Sequence, residues 1–159
     1  MVDESRRSAR LPPRWFVRTA WIVHRAVYRL TRGRVGLWAP TSRRWGTMRL
    51  TTVGRRTGQE RSVILAYFQD GPHLVALAMN GWAEPEPAWW LNLQARPEAD
   101  VELVDGRRRV RARAADAEER ARLWSRWNDL GTGLDDYAAL RPGQTAVVIL
   151  EPWSGQVRD

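Results

Sequence analysis

The chain of 159 residues contains no cysteine, so disulfides, thiolate metal ligation and thiol nucleophiles are all excluded. Lysine is missing as well, and a G+C-rich coding bias explains that absence better than any mechanism. Long apolar runs are wanting too: near the N-terminus Trp21-Ile22-Val23 is broken by His24 and Arg25, and Asp3 and Glu4 precede it. Neither a secretory signal nor a membrane span is expected, which fits residence in the cytoplasm. The only histidines, His24 and His73, fall in different kinds of segment, so no metal-ligand pair is in view and no metal is expected. No Ser–His–Asp order and no glycine-rich dinucleotide fingerprint stand out.

What the chain does have is enough apolar material, 43% of residues, for one core and one domain. It also carries a formal charge of +8, all of its surplus supplied by arginine. Such a surplus draws polyanions, whether nucleic acid, anionic lipid or a phosphorylated cofactor. Guanidinium groups add bidentate recognition of phosphate and carboxylate. Pro12-Pro13 opens a helical stretch over residues 14–30. At ~100° per residue, Arg14, Arg18, Arg25, Arg29 and Arg32 share one face, opposite Phe16, Ala20, Val23, Val27 and Leu30. Such a helix either lies on an anionic membrane surface or packs on the domain with solvated arginines.

From Thr47 the period changes to two. Strands are predicted over 47–53, with Met48, Leu50 and Thr52 on one face, then over 61–68, 73–78, 99–104, 107–114 and 145–150. Asp105-Gly106 is a strong hairpin signal. A short helix follows Pro87 to about Ala95. Asp116 and Glu119 form a capping box for a helix with Ala121, Trp124 and Trp127 on one side, which Gly131-Thr132-Gly133 breaks. Asp135-Asp136 reads as a solvated loop or a helix cap. The fold class is mainly β with flanking helices (α+β), a six-stranded antiparallel barrel. The division expected is an N-terminal helix and loop over 1–46, a barrel over 47–152 and a polar tail over 153–159.

Two segments carry candidate chemistry. In Gly54-Arg55-Arg56-Thr57-Gly58-Gln59-Glu60-Arg61, two glycines bracket a turn whose N–H groups can form an anion nest, with three guanidiniums and a hydroxyl alongside. The same spacing also suits an ordinary hairpin tip solvated by arginines. In Ala88-Trp89-Trp90-Leu91-Asn92-Leu93, adjacent tryptophans point about 100° apart. Either one walls a cleft or both fill the core, and Asn92 is placed to fix backbone or ligand.

These segments, with Asn80-Gly81, Arg96-Pro97-Glu98 and Glu119-Arg120-Ala121-Arg122-Leu123-Trp124, resemble the deazaflavin-dependent nitroreductase family over residues 50–152. The resemblance implies a split β-barrel of the flavin-reductase type that binds coenzyme F-420, a deazaflavin with a phosphate and a glutamyl tail. Carried over by motif, Arg55, Arg56, Thr57 and Arg61 hold the phosphate and tail. Ser62, Val63, Ile64, Leu65 and Ala66 run along the ring and linker. Leu77, Ala78, Met79 and Asn80, together with Ala88, Trp89, Trp90, Leu91 and Asn92, contact the ring system. The family usually has proline where this chain has Glu60. Of the spaced tyrosines that face the substrate in nitro-reducing relatives, only Tyr137 stands in the matching stretch, as a catalytic candidate.

The function expected is hydride transfer from reduced F-420 to an electron-poor acceptor such as a quinone, an enone or a nitro compound, with difficult chemistry left to the cofactor. The alternatives are a barrel of the same kind that binds FMN, and a non-catalytic cofactor-carrier or membrane-surface module. Peripheral contact with an anionic membrane at the inner face is expected only through the N-terminal helix. Nucleic acid is not an expected partner, because the arginines are dispersed among turns, hairpin and helices.

Overall fold

Met48, Leu50 and Thr52 are buried, while Arg49, Thr51 and Val53 between them are half-exposed, the alternation of a strand with one dry face. The computed structural model describes residues 36–79, 86–131, 134–139, 141 and 143–155. The helix expected over 14–30 lies outside them, as does Asn80.

Among the described residues six strands form: β1 (Gly46–Val53), β2 (Glu60–Asp70), β3 (His73–Leu77), β4 (Glu98–Leu103), β5 (Gly106–Ala114) and β6 (Val147–Pro152). They close into a barrel in the order β1-β2-β3-β6-β5-β4, and every neighbouring pair is antiparallel. The interior is filled from all six strands, among others by Leu50, Tyr67, Leu74, Val101, Val110 and Val148. The outer face of β2, β3 and β6 is apolar as well, through Phe68, Val75, Leu77, Val147 and Ile149. This second face explains why β6 reads as a continuous apolar run: it is covered on both sides.

Among the described residues three helices flank the barrel: α1 (Ala88–Ala95), α2 (Ala117–Leu130) and α3 (Leu134–Ala139). The predicted capping box starts α2, with the Asp116 carboxylate accepting from the Glu119 N–H at 2.8 Å and the Glu119 carboxylate accepting from the Asp116 N–H at 3.1 Å. The face of α2 that packs on the barrel is Leu123 and Trp127, joined by Trp124 and Leu130. Ala121, expected on that face, is exposed instead. It precedes Leu123 by two residues, about 200° around the helix. Trp127 meets Phe68 edge to face, with ring centroids 5.1 Å apart.

Other departures are local. The hairpin turn is Val104-Asp105, one residue earlier than expected. Gly106, at φ 139°, already pairs with Leu103 as the first residue of β5. Asp135 and Asp136 belong to a helix, α3, rather than to a loop. A tertiary contact favours it: Asp135 accepts from the Trp124 indole N–H at 2.6 Å and from the Asn128 amide at 3.0 Å. Strand β6 begins two residues late because Thr145 is gripped by side chains: the Arg141 guanidinium donates to its hydroxyl at 3.0 Å, and Arg120 donates to its carbonyl.

The antiparallel order places the β1–β2 turn, the exit of β3 and the entry to β4 at one end of the barrel. Helix α1 links β3 to β4 and lies across that end, sending Trp89, Trp90 and Leu93 into the interior.

Candidate cofactor site

The β1–β2 turn is tied at its base. Gly54 donates its N–H to the Gln59 carbonyl at 2.8 Å, and Gly58 donates to the Gly54 carbonyl at 2.8 Å. Gly58 has φ 68°, a left-handed conformation that glycine adopts without steric penalty. A Cβ on Gly54 would lie 3.1 Å from the Gln59 carbonyl oxygen and 3.2 Å from the Thr57 hydroxyl, so the turn is closed tightly there. Among the described residues, the backbone N–H groups of Arg56 and Thr57 at the tip have no partner.

Across from the tip stands α1. Asn92 is 4% exposed, and its side chain bonds on both sides. Its carbonyl oxygen accepts from the Arg55 N–H at 3.1 Å, with an Arg55 guanidinium nitrogen at 3.5 Å. Its amide donates to the Thr52 hydroxyl at 3.1 Å. Trp89 and Trp90 contact each other edge to face, centroids 6.3 Å apart. Both are buried in the interior cluster, and Trp89 also reaches the space beside the turn.

Turn and helix bound an open cleft of about 510 Å³, lined by Gly54, Arg55, Arg56, Thr57, Arg61, Ser62, Val63, Pro87, Ala88, Trp89 and Asn92. Among the described residues the lining holds three guanidiniums and no carboxylate. The barrel wall is different: Arg49 pairs with Glu102, Arg113 with Glu119 and Glu151, and Arg122 with Asp70. Among the described residues Arg55, Arg56 and Arg61 make no ion pair; Arg61 donates to the Gln59 side chain at 3.2 Å. The cleft therefore offers anion donors at one end and an aromatic and aliphatic wall at the other.

Residues 21–152 match the model of the F-420H(2)-dependent quinone reductase family. The chain belongs to this family. It is 31% identical over 122 residues to an F-420H(2)-dependent quinone reductase of Mycobacterium tuberculosis (strain H37Rv), which covers 73% of this chain and 80% of that protein. A solved F-420-H2 dependent reductase shares the fold, with TM-score 0.60 and 24% identity over 66% of this chain and 93% of its own. A protein solved as a domain-swapped dimer superposes with TM-score 0.63 and 22% identity, covering 84% and 99%. This quinone reductase family member is thus a deazaflavin-dependent oxidoreductase whose cofactor is F-420.

The donor set in this reductase fits that cofactor. Unpaired guanidiniums, the Thr57 and Ser62 hydroxyls and two free N–H groups suit a phosphate and a carboxylate tail. Of the residues expected to line the site, Arg55, Arg56, Thr57, Arg61, Ser62, Val63, Ala88, Trp89 and Asn92 converge on the cleft. Others stand behind it. Leu65, Ala78 and Trp90 fill the barrel interior, while Ala66, Leu77 and Met79 pack beneath α2. Ile64 is buried and Leu91 half-buried, and neither lines the cleft. Tyr137 lies on α3.

Pro87, in the lining, and Thr52, behind it, are not among the residues expected from the sequence, whereas Gly54 belongs to the expected anion turn. Thr52 had a signal in the sequence: a hydroxyl at the third inward position after Met48 and Leu50 needs a partner. Arg141, 7% exposed, was not anticipated either; it donates to the Ala78 carbonyl at 3.1 Å and so braces the exit of β3.

Proposed function

We propose that this chain reduces a quinone with a hydride from reduced F-420, binding the phosphate and tail at the β1–β2 turn and the ring along α1. The observation that carries this reading is the juxtaposition of three unpaired arginines and a glycine-bracketed turn with the Trp89 wall in one cleft. Arg55, Arg56 and Arg61 hold the anionic end, and Thr57 and Ser62 add hydroxyl donors. Val63, Ala88 and Trp89 present an apolar surface to the ring, with Leu65, Ala78 and Trp90 in the interior cluster. When bound, the reduced deazaflavin supplies the hydride.

A quinone that accepts a hydride needs one proton to become a hydroquinone. We assign contact with the acceptor, and delivery of that proton, to the α3 segment that carries Tyr137. A lipid-soluble acceptor also gives a use to Arg14, Arg18, Arg25, Arg29 and Arg32: if they share a helix face as the sequence spacing predicts, they favour contact with an anionic membrane, which we place at its cytoplasmic face.

The test is anaerobic oxidation of reduced F-420 against quinones, enones and nitroarenes, with FMN as the control cofactor. Quinones are expected to be turned over fastest, and Tyr137→Phe to lower kcat while leaving F-420 affinity unchanged. Equal turnover of nitroarenes, or turnover supported by FMN alone, would overturn the assignment.

A further inference from the structure

We propose that Thr52 and Asn92 form a buried lock that sets the positions of Arg55 and Arg61 and thereby the grip of the cleft on its anionic ligand; this deepens, and rests on, the cofactor placement given above. Thr52 is 1% exposed and Asn92 4%. A hydroxyl and a carboxamide removed from water inside an apolar barrel are costly unless each is bonded. Here the two bond each other and then reach outward. The Asn92 amide donates to the Thr52 hydroxyl at 3.1 Å, and that hydroxyl points on to the Arg61 carbonyl at 3.5 Å. In the other direction the Asn92 carbonyl oxygen receives the Arg55 N–H at 3.1 Å. One chain of contacts thus runs from Arg55 through α1 and β1 to Arg61.

The residue types match the task. Asparagine accepts and donates at once, whereas aspartate would only accept and would bring a negative charge to a cleft whose described lining has none. A threonine hydroxyl likewise accepts from one neighbour and donates to the next, which valine, its isostere in shape, cannot do. Trp89 precedes Asn92 by three residues and shares its side of α1. The bond from Asn92 to Arg55 therefore fixes the gap between the aromatic wall and the turn. Thr52 does not line the cleft, so it reaches a ligand only through the lock. We class both as positioning residues.

The experiment uses the full chain as wild type, Thr52→Val, Thr52→Ser and Arg56→Ala. F-420 and inorganic pyrophosphate are titrated, and backbone amide exchange at Arg55 is followed without cofactor. Thr52→Val is expected to weaken F-420 about five- to tenfold, the loss of roughly one buried hydrogen bond, to weaken pyrophosphate in parallel and to speed Arg55 exchange. Thr52→Ser keeps the hydroxyl and is expected to stay within about twofold of wild type.

Wild-type affinity in Thr52→Val would overturn the lock, as would weak binding with Arg55 exchange unchanged, or a Thr52→Ser protein as weak as Thr52→Val. If Thr52→Val does not accumulate folded, Thr52→Ala tests the same chain from outside the cleft: weaker binding of both ligands with faster Arg55 exchange is expected, and wild-type binding overturns it. Arg56→Ala tests the placement separately, since unchanged F-420 affinity there would overturn the cofactor reading whichever way Thr52→Val behaves.

Discussion

Arg56 sits exposed at the tip of the β1–β2 turn, and among the described residues no carboxylate pairs with it and its backbone N–H has no partner. If it holds the phosphate, Arg56→Ala removes a charge-assisted bond and should lower F-420 affinity roughly ten- to a hundredfold, read by titration at low salt. The same affinity should fall in wild type as salt rises, because exposed charges are screened. Glu60 is the next test. It opens β2 and contributes nothing to the cleft lining. Proline is tolerated at the first residue of a strand, so Glu60→Pro should bind F-420 as well as wild type or tighter. Weaker binding would give Glu60 a role in shaping the turn.

Helix α2 is fastened to the barrel by charge as well as by packing. Arg113 donates to Glu119 at 2.6 and 2.8 Å and to Glu151 at 2.7 Å, tying the first turn of the helix to β5 and β6. The Arg113 guanidinium, then the Asp116 N–H, hold the Glu119 carboxyl at about 2, below its ordinary 4.5. A carboxyl depressed in the folded state stabilises that state above its unfolded value, and the contribution is lost as pH falls through the folded one. Wild type should therefore outlast Glu119→Gln above about pH 4.5, with the difference shrinking toward pH 2, as checked by urea unfolding at each pH. The capping box was legible in the sequence because its two residues are three apart and local. Helix α3 was not, because six residues with two adjacent acids have no helical signature of their own. Its contacts come from Trp124 and Asn128 in another helix, and only tertiary structure brings those to Asp135.

At the scale of the whole molecule the barrel depends on both of its apolar layers. Phe68→Ala, which empties a fully buried site against Trp127, should cost about 3–5 kcal/mol in denaturant unfolding. Full-length protein should co-sediment with anionic but not neutral vesicles at low salt; failure on anionic vesicles removes the proposed membrane contact and leaves the reductase untouched. Alternation, turn signals and, for β6, a continuous apolar run were enough to place six strands to within two residues at their starts; the sequence implied a closed or half-closed antiparallel barrel, and the structure closes it. The site was half legible. Glycines, arginines and tryptophans announce an anion turn and a wall, but no local rule tells which tryptophan meets the cleft. Nor could spacing show that Asn92 spends its amide on the protein, because its partners lie 37 and 40 residues away.

Those separations have a consequence for the life of the protein in a cell. The turn can form from neighbouring residues alone, but its pairing with α1 needs the chain to return through β2 and β3 to the same end of the barrel. A ligand that bridges turn and helix binds only the finished product, so it adds RT ln(1 + [L]/Kd) to stability, about 2.7 kcal/mol at a hundredfold excess over Kd. Protein without cofactor should be cut faster by a dilute protease than protein saturated with F-420, and Thr52→Val should narrow that gap at equal ligand concentration. The amount of enzyme that survives proteolysis would then track the supply of deazaflavin, with no dedicated regulator.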